Sequence, residues 1–183
     1  MDYNSFLKRL LTDLKVELTD EFDRNFQRKA FFDRAWPKEG HHNPRGSQLI
    51  RSGKLRRSIN PSVHSDEIHW ESTEPYADIQ NSGGEITVTM KMKKFFWAKY
   101  YELTGGMDKK KDGSTRNTAK NRGLTAEAEF YKNLALMKVG SKIKIPARQF
   151  IGDHPRVHQI VQKAVDEQIN DLEKEIYNAL KQK

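Results

Sequence analysis

The chain contains no cysteine. That excludes disulfides, thiolate metal sites and cysteine nucleophiles. It has no apolar run near the ~18–20 residues that a membrane-spanning helix needs. Its start, Met1-Asp2-Tyr3-Asn4, has neither the basic region nor the apolar core of a signal peptide. These absences predict a protein made and used inside a cell, or released by lysis, with no membrane association. Apolar residues are sparse at 36%, against 32% charged. At 183 residues the chain is long enough for one domain and short for two, yet its core material is below average. Such a chain is expected to bury surface against partners or further copies of itself.

Catalytic signatures are missing too. No G-x-S-x-G, P-loop or G-x-G-x-x-G string occurs. Gly83-Gly84 and Gly105-Gly106 lack the strand-to-helix flanks of a phosphate cradle and read as turns. His154 and His158 lie one helical turn apart, but no H-E-x-x-H string accompanies them, and they read as the polar start of a helix. His41-His42 reads as a solvated loop, and His64 and His69 as edge or surface residues of a hairpin. Glu71, Glu74 and Asp78 beside Tyr76 match ordinary surface acids. The expectation is a protein that is not an enzyme and uses no metal or cofactor.

What is present is a pattern of helices around short strands. Phe6, Leu7, Leu10, Leu11, Leu14, Leu18, Phe22 and Phe26 form one apolar stripe at helical spacing. Trp36-Pro37, Gly40, Asn43, Pro44 and Gly46 end it, and His41 to Arg45 reads as a surface loop. Ser52 to Ile59 predicts a short helix capped by Ser52, with Leu55 and Ile59 inward and Pro61 beyond its end. Val63, Ile68 and Trp70 alternate with polar residues around a Ser65-Asp66 turn, the pattern of a hairpin. Pro75 starts a short helix carrying Tyr76 and Ile79, and Ile86, Val88 and Met90 predict another strand. Thr125 opens a helix carrying Phe130, Leu134 and Met137. Ile143, Ile145 and Phe150 fit a last strand. Val157, Ile160, Val161, Ala164, Val165, Ile169, Leu172, Ile176 and Leu180 predict a closing helix. Asp153 or His154 caps it, and Pro155 sits in its first turn. The fold class is α+β: a small antiparallel sheet with the long terminal helices on one face, in a single domain spanning 1–183.

The segment 91–140 stands apart as a basic insertion. From Lys91 to Arg122 there are ten lysines and arginines against three acidic residues, so this stretch carries most of the net charge of +8. Its first half holds Phe95, Phe96, Trp97, Tyr100 and Tyr101. Residues 104–123 read as a mobile loop. Lysines contact phosphates and aromatics stack on bases, although aromatics at helical spacing more often pack internally. The candidate contacts with DNA or an acidic partner are Lys91, Lys93, Lys94, Lys109, Lys110, Lys111, Arg116, Lys120 and Arg122.

Three segments carry a resemblance. They are Leu49-Ile50-Arg51-Ser52-Gly53-Lys54-Leu55-Arg56-Arg57-Ser58-Ile59, then Tyr76-Ala77-Asp78-Ile79-Gln80-Asn81-Ser82-Gly83-Gly84, then Pro146-Ala147-Arg148-Gln149-Phe150-Ile151-Gly152. In this order, between terminal helices, the chain resembles the phage virion morphogenesis family, also called tail completion proteins. The resemblance covers about residues 1–90 and 140–183 and leaves the insertion outside it. It implies a non-catalytic structural protein of a tailed phage or prophage, forming a homo-oligomeric ring, by analogy a hexamer. The ring would sit at the head–tail junction or the head-proximal end of the tail. Its implied partners are copies of itself, neighbouring head–tail connector and tail-tube proteins, and DNA in the lumen. Its implied location is the virion neck or tail, and the host cytoplasm during assembly. The motif residues implied to build the subunit interface are Gly53, Leu55, Ser58, Tyr76, Ala77, Gly83, Gly84, Pro146, Arg148, Phe150 and Gly152. For Arg148 two readings stay open, an ion pair with a carboxylate on the sheet or on a neighbouring subunit, or simple exposure. The alternative function is a stand-alone basic nucleic-acid-binding module.

Overall fold

A computed structural model describes residues 3–38 and 48–181. The expected loop at His41, His42 and Pro44 lies outside the described residues. The elements in chain order are α1 (Tyr3–Arg28), β1 (Ala30–Phe31), β2 (Arg34–Ala35), α2 (Lys54–Arg57), β3 (Ile59–His64) and β4 (Glu67–Ser72). They continue with α3 (Ala77–Ser82), β5 (Gly84–Thr87), α4 (Met90–Gly105), α5 (Ala119–Leu136), β6 (Lys142–Ile145) and α6 (Pro155–Lys181). The described residues are mixed helix and sheet, 57% helical and 15% strand, with small antiparallel sheets packed by the long terminal helices.

The N-terminal stripe buries Leu10, Leu14, Leu18 and Phe22 of α1 against Ile160 and Ala164 of α6 and against Phe31. The two helices run antiparallel, since Arg9 meets Glu175 at 3.7 Å and Gln168 donates to Asp13 at 2.7 Å. Ile68 and Trp70 of β4 close this core, and the Trp70 indole N–H donates to the Thr19 hydroxyl of α1 at 2.9 Å. The apolar spacing of α6 continues past this contact. Ile169, Ile176, Tyr177 and Leu180 stay exposed among Asp166, Glu167, Asp171, Glu173 and Glu175.

Strand pairing differs from the single sheet that the alternation suggested. Among the described residues the strands form three two-stranded ribbons, β1–β2, β3–β4 and β5–β6. Pro61 therefore sits inside β3 opposite Trp70, a position a proline tolerates because each strand of a two-stranded ribbon has a free edge. The β1–β2 hairpin, which alternation did not reveal, packs Phe31 beneath α1.

The β5–β6 ribbon sets Ile86 opposite Ile143. The pairing continues past the strand ends, where the Val88 N–H donates to Ser141 O at 2.8 Å and the Gly140 N–H to Val88 O at 2.9 Å. The intervening chain is pinched at its base and leaves as an antiparallel helical hairpin of α4 and α5. Three expectations change here. Met90 begins α4 rather than ending a strand, because the Thr89 hydroxyl accepts from the Met92 N–H as an N-cap. α5 begins at Ala119 rather than near Thr125, because the Thr118 hydroxyl accepts from the Asn121 N–H. The last strand stops at Ile145, short of Phe150.

Candidate functional site

Residues 146–152 form an irregular strap between α3 and α1, bent at Ile151 and Gly152, and polar side chains hold it there. The Asn81 carboxamide accepts from the Phe150 and Ile151 N–H groups at 2.8 and 3.1 Å and donates to Ile151 O at 3.0 Å. From the other side Asn25, fully buried, donates to Phe150 O at 3.1 Å and accepts from the Phe32 N–H at 3.0 Å. The Trp36 indole N–H donates to Gln149 O at 2.6 Å. Peptide groups buried without partners are costly, and these three side chains satisfy them.

Gly83 explains how closely the strap approaches. Its φ is +72°, and a Cβ there would lie 2.8 Å from Ala147 N and 3.0 Å from Ile145 O. Only glycine fits both the conformation and the space. Gly84 follows at the start of β5.

The three motifs meet here. Leu55 from the first, Ala77 from the second and Phe150 from the third share one buried cluster with Phe26 and Trp36. Gly53, with φ +66°, occupies the N-cap position of α2 that had been expected for Ser52. Ser58 is buried; its hydroxyl donates to Leu55 O at 2.8 Å and lies 2.7 Å from the Ser72 hydroxyl, joining α2 to β4. Gly152 ends the strap before α6, and Pro146 lines an apolar cavity between the β5–β6 ribbon and the α4–α5 hairpin.

A pocket of about 400 Å³ opens beside this cluster, lined by Leu49, Arg51, Ser52 and Leu55 from the first motif, Tyr76 and Gln80 from the second and Arg148 from the third. Burial pushes the Tyr76 hydroxyl up from its ordinary pKa, and its hydrogen bond with Glu74 pushes the same way. Neither sequence reading of Arg148 describes it fully. It is half-buried, and its Nε is buried with no hydrogen-bond partner among the described residues. Gln80 Oε1 is in the same condition. Gln80 and Asn81 stand inside the second motif, but composition alone does not reveal that they face the strap.

His154 immediately precedes α6 and His158 lies in its first turn. The His154 ring stacks on Phe32 with centroids 4.6 Å apart, contacts Asp33 at 2.9 Å through Nε2 and accepts the Arg156 N–H through Nδ1 at 3.1 Å. It thereby caps α6. His158 pairs separately with Asp153. Among the described residues no cluster of three or more histidine, aspartate or glutamate side chains could hold a metal ion.

The structure does not gather the basic candidates into one patch. Lys91, Lys93 and Lys94 lie in the first turns of α4, and Lys109, Lys110 and Lys111 in the loop beyond its far end. The length of α4, about 24 Å at 1.5 Å per residue, separates them. The loop itself is a built turn rather than an open coil. Lys109 and Thr115 form a bridge, and the buried Asn121 carboxamide bonds Asp108 N, Asp108 O and Arg116 O at 2.7–3.0 Å. Lys120 pairs with Asp108 at 3.0 Å, Arg116 donates to Lys109 O and Arg122 to Asn117. Phe96 is buried in the hairpin, Trp97 stacks on Tyr101, and Phe95 and Phe96 contact Tyr131. The aromatics thus contact one another along the hairpin, while Phe95 and Tyr101 remain more than half exposed.

No helix among the described residues is long and apolar enough to cross a membrane. No protein-family model matches the chain, and neither a curated protein nor a solved structure matches it.

Proposed function

We propose that the chain is a structural assembly protein of a tailed phage, prophage or related particle, forming a ring at the head–tail junction or the head-proximal end of the tail. The observation that carries this reading is the convergence of three sequence-distant motifs on one buried cluster and one pocket. No catalytic residue is assigned in this reading; Leu55, Ser58, Ala77 and Phe150 are buried and hold the fold rather than an interface, and Tyr76, Gln80 and Arg148 are the motif residues that line the pocket beside them. The exposed surface also suits a head-to-tail ring, in which two different patches of each copy meet. One patch is the acidic end of α6 with Ile176, Tyr177 and Leu180 exposed; another is the basic α4–α5 hairpin with Phe95 and Tyr101 exposed. The loop lysines would face DNA in the lumen or an acidic partner ring.

Mass photometry of the purified chain over a wide concentration range tests the reading. A discrete closed oligomer is expected, joined by co-sedimentation with connector or tail-tube proteins. A strict monomer that binds neither removes it.

A further inference from the structure

We infer that the apolar cavity between the β5–β6 ribbon and the α4–α5 hairpin receives the C-terminal half of α6 from a second copy of this chain. This deepens the ring reading and rests on it for one point, that the partner is another copy.

The receiving side is an open apolar cleft with a basic edge. The cavity measures about 400 Å³. A cavity of about 150 Å³ already takes a benzene ring, so there is room here for two large side chains. Ile86 and Ile143 of the ribbon, Met92 and Phe96 of α4 and Leu134 of α5 form its walls. All but Phe96 keep part of their surface open to solvent. Lys38 and Lys144, both exposed, stand among the lining residues, and no acidic residue does. Lys91, Lys93 and Lys94 flank Met92 at the start of α4. Among the described residues the lysines in ion pairs are Lys99, Lys120, Lys163 and Lys174, so Lys91, Lys93, Lys94 and Lys144 are left for a partner.

The same chain carries the complement. The apolar spacing of α6 outruns its contact with α1, and Ile169, Ile176 and Leu180 are 43%, 53% and 70% exposed. At 3.6 residues per turn these three fall within about 40° of one line along the helix. Tyr177 stands beside them, 58% exposed, with the Lys181 ammonium over its ring. An apolar line on one face of a helix is what a hydrophobic groove binds. From Asp166 to Lys181 the helix holds five carboxylates against two lysines, the opposite sign to the cavity edge. Opposite charges around an apolar contact set its orientation and speed its formation.

One chain cannot bring the two surfaces together. Glu175 meets Arg9 near the start of α1. The strap that leaves the cavity at Pro146 is held by Asn25 near the end of α1. Those two positions on α1 are about 24 Å apart at 1.5 Å per residue. The helix end of one copy therefore serves the cavity of the next, a contact between two different patches that can repeat around a ring.

The test places the photo-crosslinking residue p-benzoylphenylalanine at Leu180 of the full chain. This chain is mixed with isotope-labelled wild type, irradiated, and mapped by mass spectrometry. Crosslinks from the unlabelled to the labelled chain at Met92, Leu134 or Ile143 are expected. Crosslinks confined to one chain, crosslinks to another surface of the second copy, or none at all overturn the inference. Sedimentation velocity then tests the pairing. Ile176→Ser combined with Leu180→Ser removes the helix line at exposed positions, and Met92→Lys puts a charge in the cavity. Each should self-associate at least about tenfold more weakly than wild type. An equal mixture of the two should form dimers and stop there, because one intact helix end meets one intact cavity. Lys144→Glu, at an exposed position, serves in place of Met92→Lys if that variant fails to fold, and its weakening should shrink in high salt. Variants that associate as wild type does, or a mixture that stays monomeric where wild type associates, overturn the inference. Cavity crosslinks in a chain that never closes into rings would remove the ring reading and leave this one standing; rings crosslinked elsewhere would do the reverse.

Discussion

Gln80 and Arg148 are bonded through their backbones at 2.7 Å and unbonded through their side chains, each of which buries an unsatisfied polar atom. The backbone bond belongs to the fold, and both side chains line the pocket beside it. Removing a buried unpartnered donor relieves a desolvation cost of about 1–3 kcal/mol. Arg148→Met is therefore expected to leave thermal stability unchanged or to raise it by up to about 1 kcal/mol. A drop of several degrees in Tm would mean that Arg148 already has its partner within the chain.

Gly83→Ala should be severe. The residue has positive φ, and its Cβ would press on Ala147 N and Ile145 O, both backbone atoms with no flexible end to give way. The expected loss is about 3 kcal/mol, from left-handed strain plus overpacking. Gly105→Ala is the control: nothing lies within 4 Å of its Cβ, and alanine favours the helix, so stability should rise by about 0.5–1 kcal/mol. Equal effects at the two positions would contradict the close approach of the strap.

Glu21 links stability to acid. Burial alone would raise its pKa, but hydrogen bonds and charge from Arg28 and Arg24 outweigh it and lower the pKa below the ordinary 4.5. A lowered carboxylate pKa contributes stability that is present above the unfolded value and lost as pH falls through the folded one. The wild-type Tm should therefore decline as pH drops below 4.5. Glu21→Gln should start lower at neutral pH and decline less steeply in that range. Parallel curves for the two proteins would contradict this.

The loop lysines give a salt signature. If Lys109, Lys110 and Lys111 face duplex DNA, non-specific binding should weaken steeply with salt. Changing all three to alanine should reduce the log–log slope by up to about 2.7, at about 0.9 per phosphate contact. Thermal stability should not move, because all three side chains are exposed. An unchanged slope would assign the loop to a protein partner.

Much of this fold is legible in the sequence. The α1 and α6 stripes are long and regular, and helical periodicity over that length has few competitors. The β3–β4 hairpin follows from Val63, Ile68 and Trp70. Which strands share a sheet is not legible, because ribbon partners are chosen by tertiary contacts rather than by alternation. The start of α5 is obscured by Lys120, Asn121 and Gly123, which read as loop until Thr118 is seen as a cap. Asn25 left a signal: it interrupts the stripe of Leu18, Phe22 and Phe26 with a polar group, and such a residue must find partners when buried. The motif strings marked the candidate pocket, but not the open pair of Gln80 and Arg148. That pair depends on backbone bonds between residues far apart in the chain.

The central claim is that copies of this chain close into a ring. Electron micrographs of the concentrated protein, classified and averaged, test it most directly. The expected result is a population of closed, rotationally symmetric particles with a central opening wide enough for a DNA duplex, about 20 Å. Such an opening would let the basic hairpins meet phosphates without reading bases. Particles no larger than the 21.3 kDa monomer at every concentration, or open filaments without closure, would contradict it.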